Sequence, residues 1–450
     1  MNKEYKKLVD TLLEKGLLVS RENESRFCKE KGIDLNRMDS GTVFISINHK
    51  VEDFRNTSLN MFFRGGSLQD KPKKDGTAHF LEHLFFSKEL TEQFTKDFSS
   101  ANAWTDARSI HFKYGGTTNS EFPDFSFYAT LGLYMDSIKN YPALLDKDYF
   151  SKVKNTIHSE IDQDEGDFYS QANNAFMRHV MDPDNFRNKD ILGTHESLDG
   201  ISIQDIRQYL NENIVNNNMI VSMFTNGDSD DYEFTKKKVR SELQNFNRAG
   251  KPLSQSFFYD TDKLNKNYAK NKKVQLNIKN GLVKYITYLV IPIGYWSKEA
   301  LMLGTLYDFL RDKLYVLSRS RGLGYRVDIA TYSLLSGQIV VGFTTILSNK
   351  EYKTEGKVFE ALVNEIIKSV IDYQDDLKKF IDTQRVYNKA TPLRKIEIID
   401  DAVFGIERFG LLFDTVKYRQ IKSDLDINGI VGLYEKFSTI PRNTFIVGDI

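Results

Sequence analysis

Residues 75–86 read DGTAHFLEHLFF, a short apolar run carrying two histidines four positions apart with a glutamate just before the second. The apolar positions suit a helix, and Thr77 is the expected N-cap. On an α-helix His79 and His83 stand one turn of about 5.4 Å apart, so both imidazoles leave the same face and can grip one divalent ion. Glu82 lies beside them, where it can accept a proton from a metal-bound water. Zinc held by two imidazoles and one carboxylate keeps an open coordination position, which makes a nucleophilic water near neutral pH. The bland alternative is two ordinary histidines next to a helix glutamate. In a chain with 7 histidines, such a His-x-x-Glu-His run arises by chance on the order of one time in a hundred.

A third ligand must come from elsewhere. Phe150, Val153, Ile157 and Ile161 form an apolar stripe at helical spacing, and Glu160 falls on it. A carboxylate in such a place is costly unless paired or bound to a cation. Zinc is one partner for Glu160; a salt bridge to Lys or Arg is the alternative. Asp162, Asp164 and Glu165 read instead as a solvated charge run.

Composition bounds the rest. At 450 residues two domains are expected, given roughly 100–200 residues per domain. Hydrophobic residues make up 40% and aromatic ones 13%, enough to fill sizeable cores. Lys plus Arg and Asp plus Glu are both 62, so no global charge favours nucleic acid or an anionic membrane as partner. Cys28 stands alone and cannot form an internal disulfide, which suits a reducing compartment such as the cytoplasm. Residues 1–19 mix Lys and Glu among their leucines and read as an amphipathic helix through Val9, Leu12 and Leu13, neither signal peptide nor membrane span. The run Tyr285 to Trp296 is too short for a bilayer and contains Pro292; a buried strand is expected.

All the histidines (His49, His79, His83, His111, His158, His179 and His195) lie in the first half, so imidazole chemistry belongs there. Residues 247–256, NRAGKPLSQS, mark a break between regular segments. Strands are expected at 42–47, 59–64 and 109–114, with a hairpin over 327–346 turning at Ser336-Gly337. Helical periodicity covers 78–86, 148–162, 202–209, 300–317 and 356–371. Both MIVSMFTNGD (219–228) and NTFIVGDI (443–450) are apolar strands closing on Gly-Asp, a hint that one α/β unit occurs twice. The expected division is an N-terminal extension (1–35), a first repeat with the metal site (36–246) and a second, non-catalytic repeat (257–450).

With a glutamate 77 positions after the second histidine, the inverted His-x-x-Glu-His motif resembles that of the pitrilysin or insulinase metallopeptidases, the inverzincins. The surroundings agree. FFRGGS (62–67) ahead of the motif resembles the family's strand and Gly-Ser turn, and NAWTD (102–106) its edge strand that grips substrate backbone. LGT (192–194) followed by ISIQDI (201–206) resembles its lead into a helix, and RGLGY (321–325) its Arg-Gly-Leu-Ala-Tyr segment. The resemblance implies an α+β fold of two similar repeats, each a mostly antiparallel sheet covered by helices. It also implies zinc on His79, His83 and Glu160, Glu82 as general base, and peptide contacts from Asn102, Ala103 and Tyr325. The family's upstream arginine position is Ser318 here, with Arg319 one residue off. The implied activity is zinc-dependent cleavage of short unfolded peptides within an enclosed chamber, with peptide maturation or leader trimming among the roles of short members. Partners implied are the peptide substrate and a second two-repeat chain, as homodimer or heterodimer. A catalytically silent subunit that binds peptide or supports a partner peptidase is the rival reading.

Overall fold

A computed structural model describes residues 2–450 apart from 51–54, 87–91, 93–98, 119–120, 122–126, 142–145, 257–258, 260–261, 269–272, 280, 295–296, 324–326, 369 and 392. Its strands are β1 (Leu18–Val19), β2 (Ile33–Arg37), β3 (Val43–Asn48), β4 (Asn56–Arg64), β5 (Ser100–Thr105), β6 (Ser109–Thr117) and β7 (Met219–Asn226), then β8 (Lys273–Asn277), β9 (Leu282–Ile291), β10 (Val327–Leu334), β11 (Gln338–Ser348), β12 (Leu412–Phe413) and β13 (Asn443–Gly448). The hairpin β10–β11 turns through Ser336 and Gly337, where Gly337 takes φ +89°, a left-handed conformation that costs glycine little.

Two sheets share one plan. The first runs β2-β3-β7-β4-β6-β5 and the second β10-β11-β9-β13-β8. Each contains one parallel pair, β3 with β7 and β8 with β13. From that pair three antiparallel partners follow, β7-β4-β6-β5 in one and β13-β9-β11-β10 in the other. The two Gly-Asp runs therefore occupy the same place, as β7 and β13, and the fold is α+β with mostly antiparallel sheets covered by helices.

The expected division into contiguous halves needs correction. One compact unit comprises Met1–Gln163, Lys189–Phe258 and Leu393–Thr415; the other comprises Asp164–Asn188, Tyr259–Pro392 and Val416–Ile450. Residues 1–35 are no separate extension. Ile33–Arg37 pairs with β3 as the first strand of its sheet, and Phe27 and Cys28 join the core beneath it. On that same face Ile45, Ile47 and Ile220 are covered by Ile399, Ala402, Val403 and Ile406 of the helix Lys395–Phe409. In the second unit Phe168, Ala172, Phe176 and Val180 of the helix Phe168–Val180 cover Ile286, Tyr288, Phe445 and Val447. Each half of the chain thus supplies a helix to the other half's sheet. Periodicity reveals an apolar helix face but not the sheet that buries it.

Among the described residues no helix is long and apolar enough to cross a membrane.

Candidate metal centre

The motif helix spans Thr77–Phe85, and Ala78, Phe80, Leu81, Leu84 and Phe85 sink into the core of the first unit. Its cap is Gly76, not Thr77: Gly76 takes φ +93°, and a Cβ there would come within 2.4 Å of the Leu192 carbonyl oxygen. Thr77 Oγ1 donates instead to the Lys74 carbonyl at 2.6 Å. The open amides of this helix start are taken by Asp70, whose Oδ2 and Oδ1 accept from Gly76 N–H and Ala78 N–H, both at 2.9 Å. A buried carboxylate therefore caps the helix from outside it.

Glu160 arrives on the helix Lys147–Gly166, which buries Phe150, Val153, Ile157 and Ile161 as its periodicity demands. The Phe80 and Phe150 rings, 4.6 Å apart, pack the two helices together. Around the meeting point, His79 Nε2 and His83 Nε2 are 3.2 Å apart. Glu160 Oε2 stands 3.6 Å from the first and 3.4 Å from the second. Zinc–ligand bonds of about 2.0–2.2 Å at tetrahedral angles put neighbouring donor atoms roughly 3.3 Å apart, so the three donors fit one zinc ion. The expectation of a buried Glu160 is corrected: its side chain is 35% exposed at the rim of the stripe. What it meets there is the pair of imidazoles.

Glu82 is the other nearby carboxylate. Its Oε2 lies 3.7 Å from His79 Nε2 and accepts a hydrogen bond from Thr105 Oγ1 at 3.4 Å. His79, Glu82 and His83 can also be read as one ligand cluster. Of the two carboxylates, Glu160 comes within 3.6 Å of both imidazole Nε2 atoms, while Glu82 is also held by Thr105. Burial shifts the protonation of these groups. It pulls His79 down to about 3, helped by the neighbouring His83. His83 is also lowered by burial, against the opposing charge of Glu160. Both rings therefore present bare lone pairs near neutral pH, as metal ligation requires. Glu82 is pushed up to about 8 by burial and then by the charge of Glu160, with Thr105 pulling the other way.

The remaining expected residues are more scattered. Asn102 and Ala103 lie on β5, the last strand of the first sheet's order, with β6 as partner. Asn102 Oδ1 accepts its neighbour Ala103's N–H at 3.0 Å, and the exposed Trp104 ring lies 4.6 Å from that of His111 in parallel stacking. Arg319 lies in the last turn of the helix Lys298–Ser320 of the second unit, with its guanidinium 4.6 Å from the centre of the Tyr315 ring. Ser318 is buried and donates its hydroxyl to the Tyr315 carbonyl. Tyr325 lies outside the described residues. Sequence reasoning missed Asp70 and Thr105. No local pattern marks the first, which acts across six residues, whereas the second stood inside the NAWTD segment without an assigned partner.

Comparison with known proteins bears on this geometry. The family model described as Insulinase (Peptidase family M16) matches residues 45–169, the stretch holding the histidine pair, Glu82 and Glu160. YmxG of Bacillus subtilis (strain 168), described as an uncharacterized zinc protease, is 22% identical over 183 residues, which is 38% of this chain and 42% of that protein. The chain thus matches less than half the length of this relative. Among solved structures, the peptidase M16 inactive domain from Pseudomonas fluorescens is 10% identical with TM-score 0.71, covering 93% of this chain and 98% of that one. The periplasmic protease PqqL from Escherichia coli is 13% identical with TM-score 0.68, covering 92% of this chain but 47% of that one. Those two likenesses speak for the fold. The matched segment and the relative make residues 45–169 similar to the insulinase family, peptidase family M16, in the stretch that carries the site.

Proposed function

We propose that this chain is a zinc-dependent endopeptidase acting on short, unfolded peptides. One observation carries the reading: donor atoms of His79, His83 and Glu160, from two separate helices, converge within 3.6 Å of one another beside Glu82. His79, His83 and Glu160 would hold the ion. Bound there, zinc would supply Lewis acidity toward the scissile carbonyl and the attacking water. Glu82 accepts that water's proton and hands it to the leaving amine, with Thr105 holding the carboxylate in position. The peptide adds to β5 as an extra strand, with Asn102 and Ala103 along its backbone, which favours extended chains over folded proteins. Tyr325 and Arg319 are the candidates for further peptide contacts.

We further propose that the chain pairs with a second two-repeat chain, its own copy or a relative, to enclose the site. The support is that the chain matches about half of the longer PqqL. The single, buried Cys28 favours a reducing compartment, the cytoplasm. A silent, peptide-binding subunit remains the rival, since a neighbour of the same fold is named an inactive domain.

Zinc analysis and a quenched fluorescent peptide separate the readings. Glu82→Gln lowers kcat by roughly 10²–10⁴-fold with zinc content near that of the parent, the usual span for a lost general base. His79→Ala loses zinc and turnover together. Full cleavage by Glu82→Gln would refute the assignment, and a zinc-loaded parent chain without cleavage of any peptide in a library would favour the silent subunit.

A further inference from the structure

A second pair of histidines stands in the first unit, with partners distinct from those of the first centre. His158 lies on the same helix as Glu160, and His195 opens the short helix His195–Gly200. Their Nδ1 atoms are 2.6 Å apart. The ring planes lie within 11° of parallel with centroids 4.9 Å apart, close to that nitrogen separation plus two ring radii. The rings are therefore side by side in nearly one plane, with the Nδ1 lone pairs aimed at each other.

The outer nitrogens decide what this means. His158 Nε2 is 3.0 Å from Asp199 Oδ1, and His195 Nε2 is 3.1 Å from Asp162 Oδ1. An ionised carboxylate only accepts, so each Nε2 must carry its hydrogen. With both outer nitrogens protonated, the two Nδ1 atoms are bare acceptors facing one another, and a metal ion or a proton between them relieves the repulsion. Imidazole held by a carboxylate on its far nitrogen is also the usual dressing of a metal-bound histidine, because it fixes tautomer and orientation.

We propose that His158 and His195 form a second metal site, taking a borderline divalent ion such as zinc, nickel or copper, with Asp199 and Asp162 orienting the two rings and water completing the shell. The nitrogens must part to roughly 3.3 Å to hold zinc. Side chains 22% and 40% exposed have room for that adjustment. An ion here ties the Glu160 helix to the segment that supports the motif helix, since Ser197 Oγ donates to the Asp75 carbonyl at 2.9 Å. The site thus stiffens the frame of the first centre and does not depend on the peptidase reading.

The test counts zinc by elemental analysis after chelator-stripped full-length chain is dialysed against zinc and freed of unbound ion. Two ions are expected in the parent, one in His79→Ala/His83→Ala and one in His158→Ala/His195→Ala. Asp199→Asn weakens the second ion by roughly 10–100-fold, as loss of an orienting carboxylate does. Should the double variant at 158 and 195 fail to fold, His195→Gln, at the more exposed of the two positions, replaces it. Two ions persisting in the variants at 158 and 195 would overturn the site. So would a parent holding one ion that His79→Ala/His83→Ala removes, which leaves a shared proton between the rings. A single ion kept by that variant but lost at 158 and 195 would uphold this site and count against the first centre as a zinc site.

Discussion

Asp70 grips Ala78: its Oδ1 accepts the Ala78 amide at 2.9 Å, while Oδ2 takes the Gly76 amide. A side chain outside the helix thereby sets the start, and hence the rotation, of the turn that aims His79 and His83.

Removing that grip leaves two amides short of partners. Asp70→Ala should cost roughly 1–3 kcal/mol, in the range for a lost cap and unsatisfied buried groups. Urea unfolding measures it, and a loss within error of zero would show that water or another group replaces the carboxylate.

Gly76 is the second anchor of the helix start. At φ +93°, with a Cβ directed to within 2.4 Å of the Leu192 carbonyl, it has no room for a side chain. Gly76→Ala should destabilise by roughly 1–3 kcal/mol and lower zinc affinity along with it. Unchanged melting temperature and zinc binding would contradict this.

The metal-free protein should carry a pH signature. Glu82 rises on folding from 4.5 to about 8, so across that span the folded state holds a proton the unfolded state has released, and stability falls as pH rises. His79 falls from 6.5 to about 3, so across its span the unfolded state holds the extra proton and stability rises with pH. The two oppose each other at acid pH. Of these two, only Glu82 remains above 6.5, and between pH 6.5 and 8 it should remove on the order of 1–2 kcal/mol. Melting curves of chelator-treated parent and Glu82→Gln test this: parent stability, measured relative to the variant, should decline over the window. Parallel curves would mean that Glu82 keeps its ordinary carboxyl behaviour.

Thr105 offers a finer test of the base. Thr105→Val removes the hydroxyl that favours the ionised Glu82, so the acidic limb of kcat/KM against pH should move to higher pH by up to about one unit. Thr105→Ser should restore it. A lower rate with an unmoved profile would make Thr105 a packing residue only.

Much of the fold was legible along the chain. Strands β3, β4 and β6 and the hairpin β10–β11 follow from alternation and apolar runs, and the Gly-Asp endings of 219–228 and 443–450 foretold the repeated plan. Contiguous domains did not follow, because Phe168–Val180 and Lys395–Phe409 each bury an apolar face on a sheet built from the other half. At the candidate site, Thr77 reads as a cap by composition, yet Asp70 performs the task from six residues before Gly76. Along the chain Glu160 reads as a buried carboxylate in need of a partner, whereas it stands at a rim and meets the imidazoles there.

By itself the sequence determined that His79 and His83 share one helix face, since a four-residue spacing on a helix places two side chains on one side whatever surrounds them. It likewise determined which faces of the helices are apolar. The sequence also pointed to Glu160, but only the tertiary structure brought its carboxylate against both imidazoles, set Asp70 on the helix start, and placed His158 against His195. Those meetings join segments many residues apart, and no periodicity within a segment records which distant surface it will pack against.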